Sequence, residues 1–237
     1  MQQWSERTLL LLGEQGVGRL AAAKVLVVGV GGVGAYAAEM LVRAGVGALD
    51  IVDGDTVSVT NLNRQLIALN STIGKDKIDV MKSRLLDINP NLKIDARSLF
   101  LTPEQVAPLI DNGEYDFVVD AIDTIAPKVE LISYCIKNKI KIVSSMGAGG
   151  RIDPTKIQLV DISATYHDGL AKVVRGKLKE RGIRKGLPVA WSAEQANKSA
   201  LMLLNERNKV SSYGTISYIP TIFGCMLASH VIRKLIG

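Results

Sequence analysis

The stretch KVLVVGVGGVGAYAAEMLVRAG, from Lys24 to Gly45, constrains the fold more than any other part of the chain. An apolar, β-branched run leads into Gly29-x-Gly31-x-x-Gly34, followed by helix formers that stop at Gly45. The run suits a strand covered on both faces, because a half-exposed strand alternates. A second apolar run, ALDIVDGD, follows at once. Strand, glycine turn, helix and strand make the opening of a parallel βαβ unit whose turn receives a nucleotide. The glycines alone leave open whether that is NAD as a redox cofactor or ATP as a substrate.

The alternation continues. IGKDKIDVMKSRLLDINP predicts a helix, with Ile78, Met81, Leu85 and Ile88 on one stripe and Pro90 as its stop. LKIDAR reads as a short strand, and TPEQVAPLIDN as a helix with Thr102 as N-cap and Pro103 in the first turn. YDFVVDAID reads as a buried strand ending at Asp123, TIAPKVELISYCIKNK as a helix, and IKIVSSMGAGG as a fifth strand. The expected class is α/β: a Rossmann-like, doubly wound, mostly parallel sheet with helices on both faces and an elaborated C-terminal part. After GAGGRIDPTK we expect a strand KIQLVDIS, a helix with a basic tail, a strand LPVAWS and a closing apolar helix over YIPTIFGCMLASHVIRKLIG. A loop-rich insertion is expected near 145–218. The glycines of GAGG suit a flexible lid and a tight turn equally. With 237 residues the chain reads as a single domain, its nucleotide-binding core at about 20–150 and its substrate and dimer elaboration at about 151–237.

Composition narrows the chemistry. Two cysteines, Cys135 and Cys225, and no CxxC pair exclude a four-cysteine zinc site within the chain. Both thiols are expected to be buried and to act as small hydrophobes. His167 and His230 are equally thin as a metal set. No window of 18 residues reads as membrane-spanning, and the Leu9–Leu12 run is too short for a signal-peptide core. The expectation is a cytoplasmic protein with no membrane partner. The net charge of +6 is compatible with a polyanionic partner.

The residues after the glycine turn discriminate between nucleotides. Gly29, Gly31, Gly32 and Gly34 let the backbone approach a ligand, and the helix starting near Val33 aims its amides and dipole at negative charge. Asp53, 24 residues after Gly29, can accept from both ribose hydroxyls of NAD or ATP. The run DGDTVSVTNLNRQ then adds Asp55, Asn61, Asn63, Arg64 and Gln65. An NAD site needs no arginine and amides just beyond its ribose anchor. A triphosphate does, and Arg64 offers it a planar fork. Lys77 arrives at the next helix start, and Asp123 at a strand's carboxyl edge offers a carboxylate for Mg2+. Singly, each has a plainer use: Asp123 can cap the next helix, Lys77 can be a solvated helix residue with Lys75 as competitor, and Arg64 can pair with a nearby acid. Together they form a set for transfer at phosphorus, with ATP and Mg2+ as the ligands.

GVGGVG, DGDTVSVTNLNRQ, GKDK and DAID, in this order, resemble the ubiquitin-activating-enzyme-like superfamily of adenylating proteins over roughly residues 7–150. That resemblance implies Asp53 at the ribose, Asn61, Arg64 and Lys77 at the triphosphate, and Asp123 orienting magnesium-ATP. It also implies a homodimer in which Arg7, in ERTLLLLGE, crosses to the ATP of the partner subunit. The sulfur-carrier activators of this superfamily usually carry paired CxxC zinc ligands and often a reactive cysteine. This chain lacks the former, so activation of a ubiquitin-like sulfur carrier stands as the alternative.

A narrower resemblance runs through RTLLLLGEQGVGRL, NPNLKIDARSLFLTPE, DAIDTIAPKVELISYCIKNKI, VSSMGAGGRIDPTKIQLVDIS and DGLAKVVRGKLKERGI. These are similar to the tRNA threonylcarbamoyladenosine dehydratases up to about residue 184. The resemblance implies ATP-dependent activation of the threonyl carboxylate as an acyl-adenylate and closure by a nitrogen of the same modification. Ring closure is intramolecular, so no enzyme thiol is needed. Lys172, Arg175, Lys177, Lys179, Arg181, Arg184 and Lys185 face a single acid, Glu180, within one run. Such a run is often just a solvated face, but with the resemblance it implies phosphate contact to tRNA. No residue pattern names a sulfur-transfer partner.

Overall fold

The computed structural model describes residues 3–206 and 209–237. A 3-10 turn, Gln3–Ser5, leads into α1 (Glu6–Ala22). Then come β1 (Lys24–Val28), α2 (Gly34–Ala44), β2 (Ala48–Asp53), α3 (Lys77–Ile88), β3 (Lys93–Ser98), α4 (Pro103–Asp111), β4 (Phe117–Asp120) and α5 (Ile125–Lys137). The remainder is β5 (Ile142–Ser145), β6 (Ile157–Asp161), α6 (Gly169–Glu180), β7 (Pro188–Ser192), β8 (Leu201–Glu206), β9 (Lys209–Tyr213) and α7 (Tyr218–Ile236).

Seven strands form one sheet in the order β3-β2-β1-β4-β5-β7-β6, with β8 and β9 as a separate antiparallel pair. All neighbours in the large sheet are parallel except β6, which runs antiparallel to β7. The sheet is therefore doubly wound. Its strand order reverses between β1 and β4, which opens a crevice at the carboxyl edge. Side chains alternate across it. Val25 and Val27 of β1 pack with α2, α3 and α7, while Leu26 and Val28 face α4, α5 and α6. That two-sided burial is why these strands read as unbroken apolar runs.

Local chemistry sets the element ends. Thr102 and Gln105 form a capping box at α4, where the Thr102 amide donates to Gln105 Oε1 at 2.9 Å. Gly45 closes α2 with a φ of 102°. On α3, Ile78, Met81 and Leu85 are buried as their spacing predicts.

Two expectations are revised. The segment near 145–218 is not simply an insertion, because β7 pairs with β5 and β6 with β7, so it widens the main sheet. The fourth strand ends at Asp120, because the chain turns there, with the Ile122 amide donating to Asp120 Oδ1 at 3.0 Å. Asp123 thus lies on the loop beyond the strand, and Thr124, not Asp123, is the N-cap of α5. The N-terminal leucine run belongs to α1, kinked at Gly13 with φ 68° and ψ 173°, and leaves Leu10 and Leu11 over 80% exposed, at 81% and 82%.

Against the expectation that no window reads as membrane-spanning, the helix α7 is long and apolar enough to cross a membrane by length and composition. It instead lies along the core face, with Phe223, Leu227 and Val231 fully buried. Its apolar length is that of a core helix.

Candidate functional site

The turn after β1 is fixed by its own glycines. Gly29 has a φ of 89°, in the region that favours glycine, and a Cβ on Gly34 would lie 1.7 Å from the Gly29 carbonyl oxygen. Gly32 packs against Pro220 of α7 and the Arg64 segment. Gly31 differs. A Cβ there would meet only Gln65 Nε2, at an ordinary 3.7 Å. The packing of the chain itself does not require a glycine at 31, so the space above it is room for something else to approach.

Asp53 ends β2 beside this turn. Its Oδ2 accepts from the Val30 amide at 2.8 Å and its Oδ1 from the Asp55 amide at 2.9 Å. Burial pushes the Asp53 carboxyl above the usual carboxylate range, against the pull of Lys77 and those two amides. A carboxylate has about four lone-pair positions, so two bonds leave it able to accept from a ligand's hydroxyls.

The segment between β2 and α3 brings the polar residues in. Asn61 Oδ1 accepts from the Ser58 amide at 3.1 Å, so its oxygen is used by the chain in a capping box. Arg64 is half-buried, and its Nη1 donates to the Thr60 carbonyl at 2.8 Å and to Asn63 Oδ1 at 3.0 Å. Burial lowers its pKa, opposed by the charge of Asp123. Arg64 and Asp123 are therefore brought within electrostatic reach from different sides of the crevice. Gln65 is buried, and its Oε1 is the one buried side-chain polar atom among the described residues without a hydrogen-bond partner. An unmet buried acceptor costs about 1–3 kcal/mol, so it calls for a donor from outside the chain.

Lys77 is not a solvated helix residue. It is 5% exposed and its Nζ lies 2.7 Å from Asp55 Oδ2, while Lys75 stands exposed. Asp55 thus pairs with Lys77, which keeps further ammonium protons for an acceptor.

Two buried ion pairs beneath this edge escaped the sequence reading. Lys128 Nζ is 2.7 Å from Asp120 Oδ2, with both side chains at 0% exposure. The same ammonium donates to the Ile122 carbonyl at 2.9 Å, and Ser144 Oγ donates to Asp120 Oδ2 at 2.6 Å. This network pins the β4–α5 loop that carries Asp123. It had a signal: Lys128 falls on the stripe with Leu131, Ile132 and Cys135, where α5 is otherwise apolar. The second pair joins Arg151 to Asp168 at 3.2 Å, both 2% exposed. Arg151 also donates to the carbonyls of Gly147, Gly149, His167 and Glu194, and Asp168 accepts from the Gly147 amide. The GAGG segment is therefore a turn stapled in place.

The remaining expected residues lie apart. Arg7 is exposed on α1, and no hydrogen bond or ion pair among the described residues ties it to Asp53, Arg64, Lys77 or Asp123. On α6 and its tail, Lys172, Lys177, Lys179, Arg184 and Lys185 are exposed. Arg175 instead donates to the Thr165 carbonyl and hydroxyl, and Arg181 pairs with Glu130 at 2.5 Å. Those two are committed to the chain. Cys135 is buried, and that burial together with nearby Asp120 pushes its thiol up to about 12. Cys225 is only half-buried, because it lies off the packed face of α7. Burial raises its thiol as well, so neither is a ready nucleophile.

A profile of the ThiF family matches residues 5–237. The chain is 41% identical over 194 residues to a tRNA threonylcarbamoyladenosine dehydratase of Bacillus subtilis, covering 78% of this chain and 76% of that protein. It is 38% identical over 255 residues to the protein of that name in Escherichia coli, covering 99% and 95%. A crystal structure of the Escherichia coli enzyme in complex with ATP superposes with a TM-score of 0.88 at 37% identity, covering 99% of this chain and 96% of that one.

Proposed function

The chain belongs to the ThiF family, and on that premise we propose that it is an ATP-dependent tRNA threonylcarbamoyladenosine dehydratase. It activates the threonyl carboxylate of the modified adenosine and closes it to the cyclic form. The observation that carries this reading is the gathering at one sheet edge of Asp53, the Asp55–Lys77 ion pair and the opposite charges of Arg64 and Asp123, beyond a glycine turn with open space at Gly31. That arrangement suits a nucleotide whose phosphates react.

In this reading the glycine turn, Asp53 and Gln65 hold the adenosine half of ATP. Asp53 accepts from ribose hydroxyls, and the unmet Gln65 Oε1 takes a donor from the nucleotide. Asn61, Arg64 and Lys77 draw charge off the triphosphate, with Asp55 holding Lys77 in place. A threonyl carboxylate oxygen attacks the α-phosphorus, pyrophosphate leaves, and the carboxylate becomes an acyl-adenylate. A nitrogen of the same modification then attacks the carbonyl carbon and loses its proton as AMP departs. Relative to the starting nucleoside, the product has lost one water. Proximity supplies the nucleophile, so the high thiol pKa values are consistent with the chemistry.

Asp123 is the residue that would hold Mg2+. No group of three or more His, Cys, Asp or Glu able to hold a metal exists among the described residues. One carboxylate fits an ion that arrives with the triphosphate, since Mg2+ commonly takes one or two carboxylates plus phosphate oxygens and waters. When bound, that ion neutralises phosphate charge.

Two assembly features belong to the same reading. The protein acts as a homodimer in which Arg7 reaches the partner subunit's ATP; Leu10 and Leu11, exposed on the same helix, support an interface there. The exposed lysines and Arg184 around α6 contact tRNA phosphates. A cytoplasmic location belongs to the same reading.

The test is mass spectrometry of nucleosides from threonylcarbamoyladenosine-bearing tRNA after incubation with protein, ATP and Mg2+. The expected result is ATP-dependent loss of one water from that nucleoside. Unchanged tRNA alongside carrier-dependent pyrophosphate exchange would instead make the protein a carrier activator.

A further inference from the structure

A cavity of about 320 Å³ opens beside the nucleotide edge, lined among others by Gly147, Arg151, Asp168, Gln195, Ala196, Lys198 and Tyr213. Its walls leave the sheet at the same edge as Asp53 and Asp123. Gly147 and Gly149 follow the carboxyl end of β5, and Gln195 and Ala196 follow that of its parallel neighbour β7. The volume is at the small-molecule end of ligand sites.

Three physical links tie this cavity to its surroundings. Toward the nucleotide, Asn63 Nδ2, next to Arg64, donates to the Thr215 carbonyl at 2.9 Å. A Cβ on Gly149 would lie 2.7 Å from Tyr213 Cβ and 3.3 Å from Thr215 Oγ1, so glycine, the Tyr213–Thr215 strap and the Arg64 loop are closely apposed. Toward solvent, the start of α6 at Gly169 and Leu170 forms one rim. The same helix supplies Lys172, Arg175 and Lys179 to a second, basic groove of about 270 Å³ shared with Arg184. His167, at the same rim, has a left-handed φ of 54°, an uncommon conformation for a non-glycine residue.

The electrostatics select the occupant. Arg151 and Asp168 are spent on each other and on the backbone, so they shape the wall without answering a ligand. Lys198 is exposed at the cavity and has no ion-pair partner among the described residues. With Gln195 and Tyr213 it offers one uncompensated positive charge, an amide and an aromatic ring. That set fits a planar base carrying an anionic arm. A plain adenosine would leave Lys198 unanswered.

Building on the dehydratase reading above, we propose that this cavity receives the N6-threonylcarbamoyl adenine itself. Lys198 faces its carboxylate before activation, the basic groove along α6 holds the flanking phosphates, and the side of the cavity linked through Thr215 to Asn63 hands the carboxylate on to ATP at the Arg64 loop. The site then orders polyanion, base and nucleotide in succession, from α6 over the loops that follow β5 and β7 to the β1 turn.

The test uses the full-length protein with two variants. Ala196→Trp fills the cavity, and Lys198→Ala removes the charge, with Lys198→Arg as its rescue. Three readouts are taken at a temperature where melting shows each variant folded: ATP binding in the absence of tRNA, single-turnover cyclisation on modified tRNA, and saturation-transfer NMR with the free N6-threonylcarbamoyladenosine nucleoside. We expect ATP binding within about twofold of the parent for both. Ala196→Trp should lose at least 100-fold in cyclisation together with the nucleoside signal. Lys198→Ala should lose about tenfold, mostly in KM for tRNA, and Lys198→Arg should recover most of it. A folded Ala196→Trp that cyclises within about threefold of the parent overturns the cavity assignment and leaves the dehydratase reading standing. A parent that binds the nucleoside in a way Ala196→Trp abolishes, yet never cyclises it, keeps the cavity assignment and overturns the dehydratase reading. A parent that does neither overturns both.

Discussion

Lys128 Nζ lies 2.7 Å from Asp120 Oδ2, and neither side chain reaches solvent. Two charges so deeply buried are not explained by stability, because the desolvation of both groups cancels much of their attraction. What the pair does is geometric. Lys128 also holds the Ile122 carbonyl, and Asp120 holds the Ile122 amide and the Ser144 hydroxyl. The loop carrying Asp123 is thus tied from α5, β4 and β5 at once. In the proposed reading, where Asp123 meets a metal-bound triphosphate, such a rigid support keeps the carboxylate in position.

Lys128→Met should therefore be among the most damaging single substitutions. It strands Asp120 without its counter-charge, and breaking a buried pair costs about 3–5 kcal/mol. For a chain of this size that corresponds to a fall in Tm of roughly 6–20 °C. Adding Asp120→Asn should return part of the stability, because the amide oxygen can still accept and no lone charge remains. If the double variant melts no higher than the single one, the ion pair is not the source of the loss.

Asp123→Ala tests the residue that this network supports. The side chain lies on a loop after β4, so the fold should survive, with Tm within a few degrees of the parent. AMP release should fall at least 1,000-fold, on the order of 4 kcal/mol of transition-state stabilisation. Near-normal AMP release would remove Asp123 from the chemistry.

Much of this site was legible because its residues follow strands and break a pattern. Gly29, Gly34, Asp53 and Lys77 stand at positions a βαβ unit makes special, and structure places all four around one edge. The strand end at Asp120 was misread as Asp123, since an aspartate inside an apolar run looks the same whether it ends the strand or follows it. Arg151 and Asp168 were invisible for a different reason. They are 17 residues apart, and each looks like an ordinary surface charge until the β5–β7 crossover buries them together. The leucines of α1 form an unbroken run of four, which does not say which of them a helix buries, so the exposure of Leu10 and Leu11 becomes visible only in three dimensions.

Glu39 predicts a pH dependence that has nothing to do with catalysis. It is buried on α2 and accepts from Arg84 Nε of α3 at 2.5 Å and from Arg43 Nε at 2.8 Å. Burial pushes its carboxyl up, but Arg84 and Arg43 together outweigh it and hold the pKa below the ordinary value. The unfolded chain then binds more protons than the folded one in the acid range, so stability rises with pH there. The contribution is complete above the ordinary carboxylate pKa and is lost as pH falls through the lowered one. Glu39→Gln should cost on the order of 1–2 kcal/mol at neutral pH. The gap between parent and variant should start to close as pH falls below the ordinary carboxylate pKa, about 4.3, and go on closing through the lowered one. Denaturant midpoints measured across that range would show it, and a gap that stays constant would exclude Glu39 as the titrating group.

The thiols give a prediction of little effect on chemistry. Cys135 sits at 0% exposure in the α4–α5–α6 core, and burial raises both thiols. The double variant Cys135→Ala, Cys225→Ala should cyclise within about tenfold of the parent, a barrier change of at most about 1.4 kcal/mol. Lost core volume should appear as a lower Tm. Single-turnover conversion on tRNA, below that Tm, is the measurement. A loss of several orders of magnitude with adenylate formation intact would assign a cysteine to carrying the acyl group.

Arg7 provides the sharpest test of assembly. It is exposed on α1 beside Leu10 and Leu11, and no hydrogen bond or ion pair among the described residues joins it to Asp53, Arg64, Lys77 or Asp123. If it completes the partner subunit's site, Arg7→Ala and Asp123→Ala chains should each be inactive alone and recover activity when mixed. A mixed dimer has one site lacking both residues and one site intact. With random exchange, half the dimers are mixed and half of their sites work, so recovery should approach roughly a quarter of the parental activity. Subunit exchange is checked separately with tagged chains and native mass spectrometry. Recovery near that level would show that each site draws on two chains. No recovery despite demonstrated exchange would place Arg7 in its own chain's site or outside the chemistry altogether, and the exposed leucines of α1 would then need another explanation.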